Sequence, residues 1–80
     1  MTEQTYSPDI VVDSREAACP GPLMDLIGKV KVAESGKVIE LKTTDKGSKN
    51  DVPDWLEKAG HELLEVVDRG DFWSLYVRKS

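Results

Sequence analysis

Few residues in this chain of 80 could do covalent chemistry, and the first of them is its single cysteine, Cys19. It opens the run Cys19-Pro20-Gly21-Pro22, just before apolar residues that recur at helical spacing. A helix N-terminus carries a partial positive charge that favours a thiolate, and Gly21 leaves room beside the sulfur. Neither proline has an N–H to donate to it. The spacing is consistent with a reactive, exposed thiol and also with a buried apolar cysteine, and both readings stay open.

Composition excludes several other kinds of site. One cysteine cannot form an intramolecular disulfide, and with one histidine, His61, it is too few ligands for an ordinary zinc site. We therefore expect no metal and no cofactor. The formal net charge of −4 argues against direct nucleic-acid binding, which needs a concentrated basic surface. No apolar run is long enough to span a bilayer.

The first eight residues contain Glu3 but no lysine, arginine or apolar core, so they do not resemble a signal peptide. We expect residues 1–8 to form a flexible N-terminal tail and residues 9–80 to form a single domain. An unpaired thiol without a signal peptide predicts a reducing, cytoplasmic location. We also expect a monomer that binds other proteins.

The elements that must position Cys19 follow from hydrophobic periodicity. In chain order, the pattern predicts a strand over 10–12 ending at Asp13, a helix over 20–33, a strand over 38–43, a loop over 44–50, a helix ending at Gly60, a strand over 62–67, a turn over 68–71 and a strand over 72–78. Ser48 or Asn50 is the expected cap of the second helix, with Pro53 in its first turn.

The order β-α-β-α-β-β predicts an α+β fold. For a short chain, a two-layer α/β sandwich buries the most apolar surface: a four-stranded mixed sheet with both helices packed on one face. In the last strand, Trp73, Leu75 and Val77 should share one face, and Phe72, Ser74 and Tyr76 the other.

Two stretches resemble the TusA/SirA family of sulfur-carrier proteins. The first runs from Asp13 to Leu23 and contains the Cys-Pro-x-Pro motif after a strand end. The second runs from Asp45 to Trp55 and is followed by Gly60-His61-Glu62-Leu63. The resemblance extends over residues 10–79. One departure is Glu16-Ala17, where many members have Gly-Leu, and it bears on the identity of the partners.

The resemblance implies a persulfide relay. A sulfur-donor protein, either a cysteine desulfurase or a rhodanese-like protein, would load Cys19, which would pass the sulfur to an acceptor protein. Such relays serve tRNA thiolation, cofactor sulfuration or sulfur oxidation. A non-catalytic interaction module with a structural cysteine is the alternative. A weaker one is RNA binding, because the topology resembles the C-terminal domain of a bacterial translation initiation factor.

Several residues around Cys19 are candidates for binding a substrate or partner. Arg15 could steer an anion or a partner carboxylate, and Glu16 could pair with Arg15. Asp45 and Asp51 are better explained as capping or turn residues, and His61 as a structural histidine. The full candidate set beside Cys19 is Asp13, Arg15, Pro20, Gly21, Pro22, Asp45 and Asp51.

Overall fold

The structure, a computed structural model, describes residues 8–16 and 21–80. Its elements in chain order are β1 (Ile10–Ser14), α1 (Gly21–Val32), β2 (Val38–Thr43), α2 (Lys46–Ala59), β3 (Glu62–Asp68) and β4 (Trp73–Arg78). The predicted order and the α+β fold class are confirmed. β1 and β3 each extend beyond their predicted ends, and β4 begins one residue later than predicted.

The four strands form one mixed sheet in the order β1-β2-β4-β3. β1 runs parallel to β2, which pairs antiparallel with β4, and β4 pairs antiparallel with β3. The register places Ser14 beside Thr43 and Thr43 beside Trp73. One end of the sheet therefore brings together the end of β1, the end of β2 and the start of β4.

The core lies between one face of this sheet and the two helices. The sheet contributes alternate residues of its strands, as a half-buried sheet requires, and each helix contributes one stripe. Its fully buried members include Ile39, Leu41, Leu75, Val77, Leu26, Val30, Val52 and Leu56. Burying each such side chain stabilises the fold by ~1.5–3 kcal/mol. The predicted faces of β4 are confirmed, and both helices pack on one side.

α1 ends with its last carbonyl groups bound by a lysine from the C-terminus. The Lys79 ammonium donates to the carbonyl oxygens of Val30 and Ala33, at 2.7 and 3.0 Å. The Val30 carbonyl also accepts the N–H of Ala33, just after the helix, at 3.3 Å, and a cation is favourable at this end of the helix dipole. The contact ties the chain after β4 to the first helix.

α2 begins earlier than the sequence pattern predicts. The loop expected over 44–50 is wrong, because the helix starts at Lys46. Its cap is Asp45, whose carboxylate accepts the backbone N–H of Ser48 at 2.7 Å, rather than Ser48 or Asn50. Pro53 consequently lies inside the helix, beyond the first turn. Gly60 ends it as predicted, at the left-handed φ of 84° that glycine tolerates.

The helix-free face of the sheet carries a polar network at its centre. The hydroxyl of Ser74 donates to the carboxylate of Glu40 at 2.7 Å and accepts from Arg69 Nε at 3.2 Å. Arg69 Nη2 donates to the hydroxyl of Tyr76 at 2.6 Å. Glu40 is only 5% exposed, and Ser74 and Tyr76 are fully buried. The network ties the turn between β3 and β4 to the sheet.

Within residues 8–16 and 21–80, no helix combines the length and the apolar character needed to cross a membrane. The same ranges hold no group of three or more histidine, cysteine or acidic side chains placed to bind a metal ion.

Candidate functional site

The candidate site lies at the end of the sheet where β1 leads towards α1. β1 ends at Ser14, and α1 begins at Gly21. The predicted nucleophile, Cys19, and its neighbour Pro20 fall in the connecting segment and lie outside the described residues. The structure therefore bears on what anchors each side of this connection, and the role of Cys19 stays a prediction.

On the strand side, the connection begins with a two-pronged ion pair. Arg15 Nε donates to Asp13 Oδ1 at 2.9 Å, and Arg15 Nη2 donates to Asp13 Oδ2 at 2.7 Å. The backbone N–H of Arg15 also donates to Asp13 Oδ1 at 3.3 Å. The Asp13 carboxylate therefore binds both the backbone and the side chain of Arg15. Of the two groups that donate to this carboxylate, the guanidinium forms the shorter hydrogen bonds.

This pair perturbs the acid–base chemistry of both side chains. The side-chain hydrogen bonds from Arg15, followed by its backbone N–H, lower the pKa of Asp13 to about 2. The same hydrogen bonds raise the pKa of Arg15. Both groups are therefore ionised at neutral pH, and the guanidinium is committed to Asp13. Steering of a small anion by Arg15 is correspondingly less favoured than a positioning role.

Two further hydrogen bonds fix the same side of the connection. The Thr44 hydroxyl donates to the backbone carbonyl of Arg15 at 2.8 Å, which ties the chain after β1 to the chain after β2. The Ser14 hydroxyl donates to Asp25 Oδ2 at 2.8 Å, which ties the end of β1 to α1. Sequence reasoning missed Ser14, Thr44 and Asp25, since a hydroxyl or carboxylate contact across elements has no local signature.

On the helix side, Gly21 and Pro22 are the first two described residues of α1. Pro22 is buried, and in a first turn its missing N–H costs no helical hydrogen bond. The positive end of the α1 dipole lies at this terminus, two residues after Cys19 in the sequence. This arrangement is what the thiolate hypothesis requires of the helix side.

A cavity of about 420 Å³ adjoins the strand side of the connection. The described residues that line it are Asp13, Arg15 and Glu16. Glu16 is exposed, and Arg15 pairs with Asp13 rather than with Glu16. Arg15 thus forms its ion pair with Asp13 and not with Glu16, although the charge of Glu16 contributes to raising the pKa of Arg15. The Glu16 carboxylate faces solvent at the cavity.

The other candidates have structural contacts. Asp45 caps α2, which confirms the capping role expected of it, whereas Asp51 lies on the exposed surface of that helix. His61 stacks against Trp55 with ring centroids 5.7 Å apart, and its Nδ1 accepts the backbone N–H of Ser80 at 3.2 Å. These contacts fit the structural role expected of His61. A part of Asp45 or Asp51 in partner binding stays a prediction.

Comparison with known proteins identifies the class to which this fold and site belong. The sequence model of one family, described as sulfurtransferase TusA, matches residues 10–79. The chain belongs to the TusA family, and the resemblance drawn from its two motifs is confirmed. Membership supports a sulfur-carrier role.

Individual relatives agree with this assignment. A protein of Archaeoglobus fulgidus, provisionally named a sulfur carrier protein, is 47% identical over 70 residues, which cover 88% of this chain and 96% of the relative. The sulfur carrier protein TusA of Pseudomonas aeruginosa is 31% identical over 75 residues, covering 94% of this chain and 95% of the relative. The crystal structure of a SirA-like protein from Desulfitobacterium hafniense matches with a TM-score of 0.76 at 17% identity. It covers 86% of this chain and 95% of its own, and it supports the fold.

Proposed function

We propose that this protein carries sulfane sulfur as a persulfide on Cys19, between a donor protein and an acceptor protein. One observation carries the proposal. The only cysteine of a TusA-family chain falls in the short connection between β1, whose end is held by hydrogen bonds, and the N-terminus of α1. A thiol in such a connection is reachable from outside, and the helix dipole favours its thiolate.

The chemistry balances without a cofactor. The Cys19 thiolate attacks the outer sulfur of a donor persulfide, a new S–S bond forms, and the old S–S bond breaks to release the donor thiolate. An acceptor thiolate then attacks the outer sulfur on Cys19, and Cys19 leaves as a thiolate. No net oxidant is needed, because the sulfane sulfur keeps its oxidation state. No second cysteine in the chain competes for the persulfide.

The rigid strand side of the connection supports this role. The Asp13–Arg15 pair, the Thr44 hydrogen bond and the Ser14–Asp25 hydrogen bond fix the chain just before the cysteine-bearing segment. Holding those residues in place lowers the entropy lost when a partner aligns its sulfur with Cys19. We expect Asp13 and Arg15 to position the loop, with Gly21 and Pro22 fixing its other end.

A two-step transfer assay tests the proposal. The protein is incubated with a cysteine desulfurase and cysteine, purified away from both, and then mixed with a small acceptor thiol. We expect the purified protein to carry one extra sulfur and to pass it to the acceptor, with Cys19→Ser inactive in both steps. Absence of loading from the desulfurase, from thiosulfate and from polysulfide would overturn the proposal. It would favour an interaction module with a structural thiol.

We further propose that residues 9–80 act as one domain behind an N-terminal tail of residues 1–8, and that the protein works as a cytoplasmic monomer. The family match over residues 10–79 supports the domain boundary. The hydrogen bond from the Asp9 N–H to the Val38 carbonyl, at 2.7 Å, supports it as well. Limited proteolysis with mass spectrometry checks the boundary, and sedimentation checks the oligomeric state.

A further inference from the structure

Three cations lie against two aromatic rings at the end of the sheet that carries the cysteine connection. Arg15 Cζ is 5.0 Å and Lys42 Nζ is 5.9 Å from the centroid of the Phe72 ring. Lys49 Nζ is 4.9 Å from the centroid of the Trp73 ring. Contacts within about 6 Å of a ring face are attractive and hold the cation in place. We call these five residues the aromatic–cation ridge.

The two lysines of the ridge can pair with an anionic ligand. The described part of the chain contains two ion pairs between side chains, Arg15 with Asp13 and Arg78 with Glu62, and neither involves a lysine of the ridge. Lys42 lies beside the Asp13 carboxylate, which already pairs with Arg15, so these three side chains together keep one net positive charge. The rings do not neutralise Lys42 or Lys49, because a ring face supplies only a quadrupole. Two ammonium groups therefore stand pre-positioned on a protein whose formal net charge is −4.

The ridge is continuous with the cysteine connection. Arg15 belongs to both, because it contacts Phe72 and lies on the strand side of the segment that holds Cys19. Trp73 pairs with Thr43 at the end of the sheet, and the adjacent Thr44 holds the Arg15 carbonyl. The ridge therefore adjoins the strand side of the connection that contains Cys19.

The two lysines approach this edge from different layers. Lys42 projects from the helix-free face of β2, where its register partner is Ser74, whereas Lys49 projects from α2. Because the sheet lies between them, one small anion cannot bind both. An extended chain with several carboxylates can, and its methylene groups can cover the exposed parts of the rings. Three exposed acids, Asp13, Glu16 and Asp71, border the ridge in register or sequence and would repel a chain placed out of register.

We propose that the aromatic–cation ridge binds an acidic segment of the protein that exchanges sulfur with Cys19. That the acidic segment belongs to a sulfur-exchange partner rests on the proposed sulfur-carrier function. The affinity of the ridge for an acidic chain does not depend on that function. Pairing of carboxylates with Lys42 and Lys49 orients the partner, and salt weakens the association because the ridge is solvent-accessible.

The first test needs no sulfur chemistry. A synthetic glutamate-rich peptide is titrated into the ¹⁵N-labelled full chain, and amide shifts are followed by NMR. The test variant is Lys42→Gln with Lys49→Gln. The matched control, Lys29→Gln with Lys31→Gln on α1, removes the same charge away from the ridge. We expect shifts centred on the ridge and binding about fivefold weaker for the test variant, with the control close to the wild type.

The second test asks whether the sulfur donor uses the ridge. Loading of Cys19 by a cysteine desulfurase is timed for the wild type and both double variants at low and high salt. Slower loading of the ridge variant alone, with the difference shrinking in high salt, supports the proposal. Peptide shifts spread away from the ridge, or equal losses in both variants, overturn it. Wild type that binds the peptide but never gains sulfur instead overturns the carrier function and leaves the ridge intact.

Discussion

The Asp13 carboxylate offers a direct test of how the cysteine connection is held. In the folded protein, hydrogen bonds from the Arg15 guanidinium at 2.9 and 2.7 Å lower its pKa from the ordinary 3.8 to about 2. Replacing Arg15 by leucine removes those donors and their positive charge, and leaves the weaker backbone N–H and the charge of Lys42 to lower the pKa. We therefore expect the Asp13 pKa in Arg15→Leu to rise from about 2 most of the way to 3.8.

The sign of the linkage follows from the direction of the shift. A carboxyl whose pKa is lower in the folded state stabilises that state above its unfolded pKa, and the stabilisation disappears as the pH falls through the folded pKa. The Asp13–Arg15 contribution is thus complete at neutral pH. It fades between the ordinary value of 3.8 and about 2. We therefore expect the Asp13–Arg15 ion pair to be intact at the near-neutral pH of persulfide transfer.

Carboxyl-detected ¹³C NMR across the acid range measures the titration of Asp13 itself. Arg78→Leu is the matched control, because Arg78 forms the second exposed ion pair of the described residues, with Glu62 of β3 at 3.3 Å. The control should leave the titration of Asp13 unchanged. An Asp13 that titrates near 3.8 in the wild type, or that does not respond to Arg15→Leu, would refute the account of this anchor.

Two further predictions concern contacts that hold the fold around the site. Ser74→Ala removes the hydroxyl that binds the buried carboxylate of Glu40, so we expect a loss of about 1–3 kcal/mol of unfolding free energy by urea denaturation. Ser35→Ala, whose hydroxyl is exposed, serves as its control, and an equal loss in both would contradict the role of the network. Lys79→Met keeps the aliphatic stem but removes the ammonium that binds the Val30 carbonyl of α1 and the Ala33 carbonyl just after it. We expect this variant to lose about 1 kcal/mol of unfolding free energy. An unchanged free energy of unfolding in this variant would show that water replaces the Lys79 ammonium at the two carbonyls.

Much of the fold could be predicted from sequence because its signals are local. Alternation along β4 assigned Leu75 and Val77 to the core face and Ser74 and Tyr76 to the other. Apolar residues at helical spacing likewise predicted α1, whose buried stripe includes Leu26 and Val30. These patterns depend only on the period of a helix or strand, so they can be recognised without knowing which elements pack beside it.

The start of α2 could not be predicted in this way because two local signals compete there. Gly47 is a poor helix former, and the polar run around it is typical of a loop. The Asp45 carboxylate nevertheless satisfies the Ser48 N–H at 2.7 Å, and that cap starts the helix before Gly47. Asp45, three residues before Ser48, was the available signal. It was considered as a capping or turn residue, but the polar run after it led to the prediction of a loop.

The environment of the site depends on long-range pairing, which periodicity does not report. Arg15 contacts Phe72 only because β2 lies between β1 and β4, so that the ends of distant segments meet. The same strand order brings Glu40 to Ser74. Sequence could nominate Asp13 and Arg15 as neighbours of the cysteine. The contacts of Thr44 and Phe72 required the fold.

The central claim is that Cys19 carries sulfur, and one measurement addresses it directly. Intact-mass and peptide mass spectrometry follow the wild type and Cys19→Ser after incubation with a cysteine desulfurase and cysteine, with non-reducing alkylation to trap persulfides. The account predicts a gain of one sulfur atom on the peptide that contains Cys19 in the wild type, and no gain in Cys19→Ser. Unmodified wild type, or the same added mass in Cys19→Ser, would contradict it.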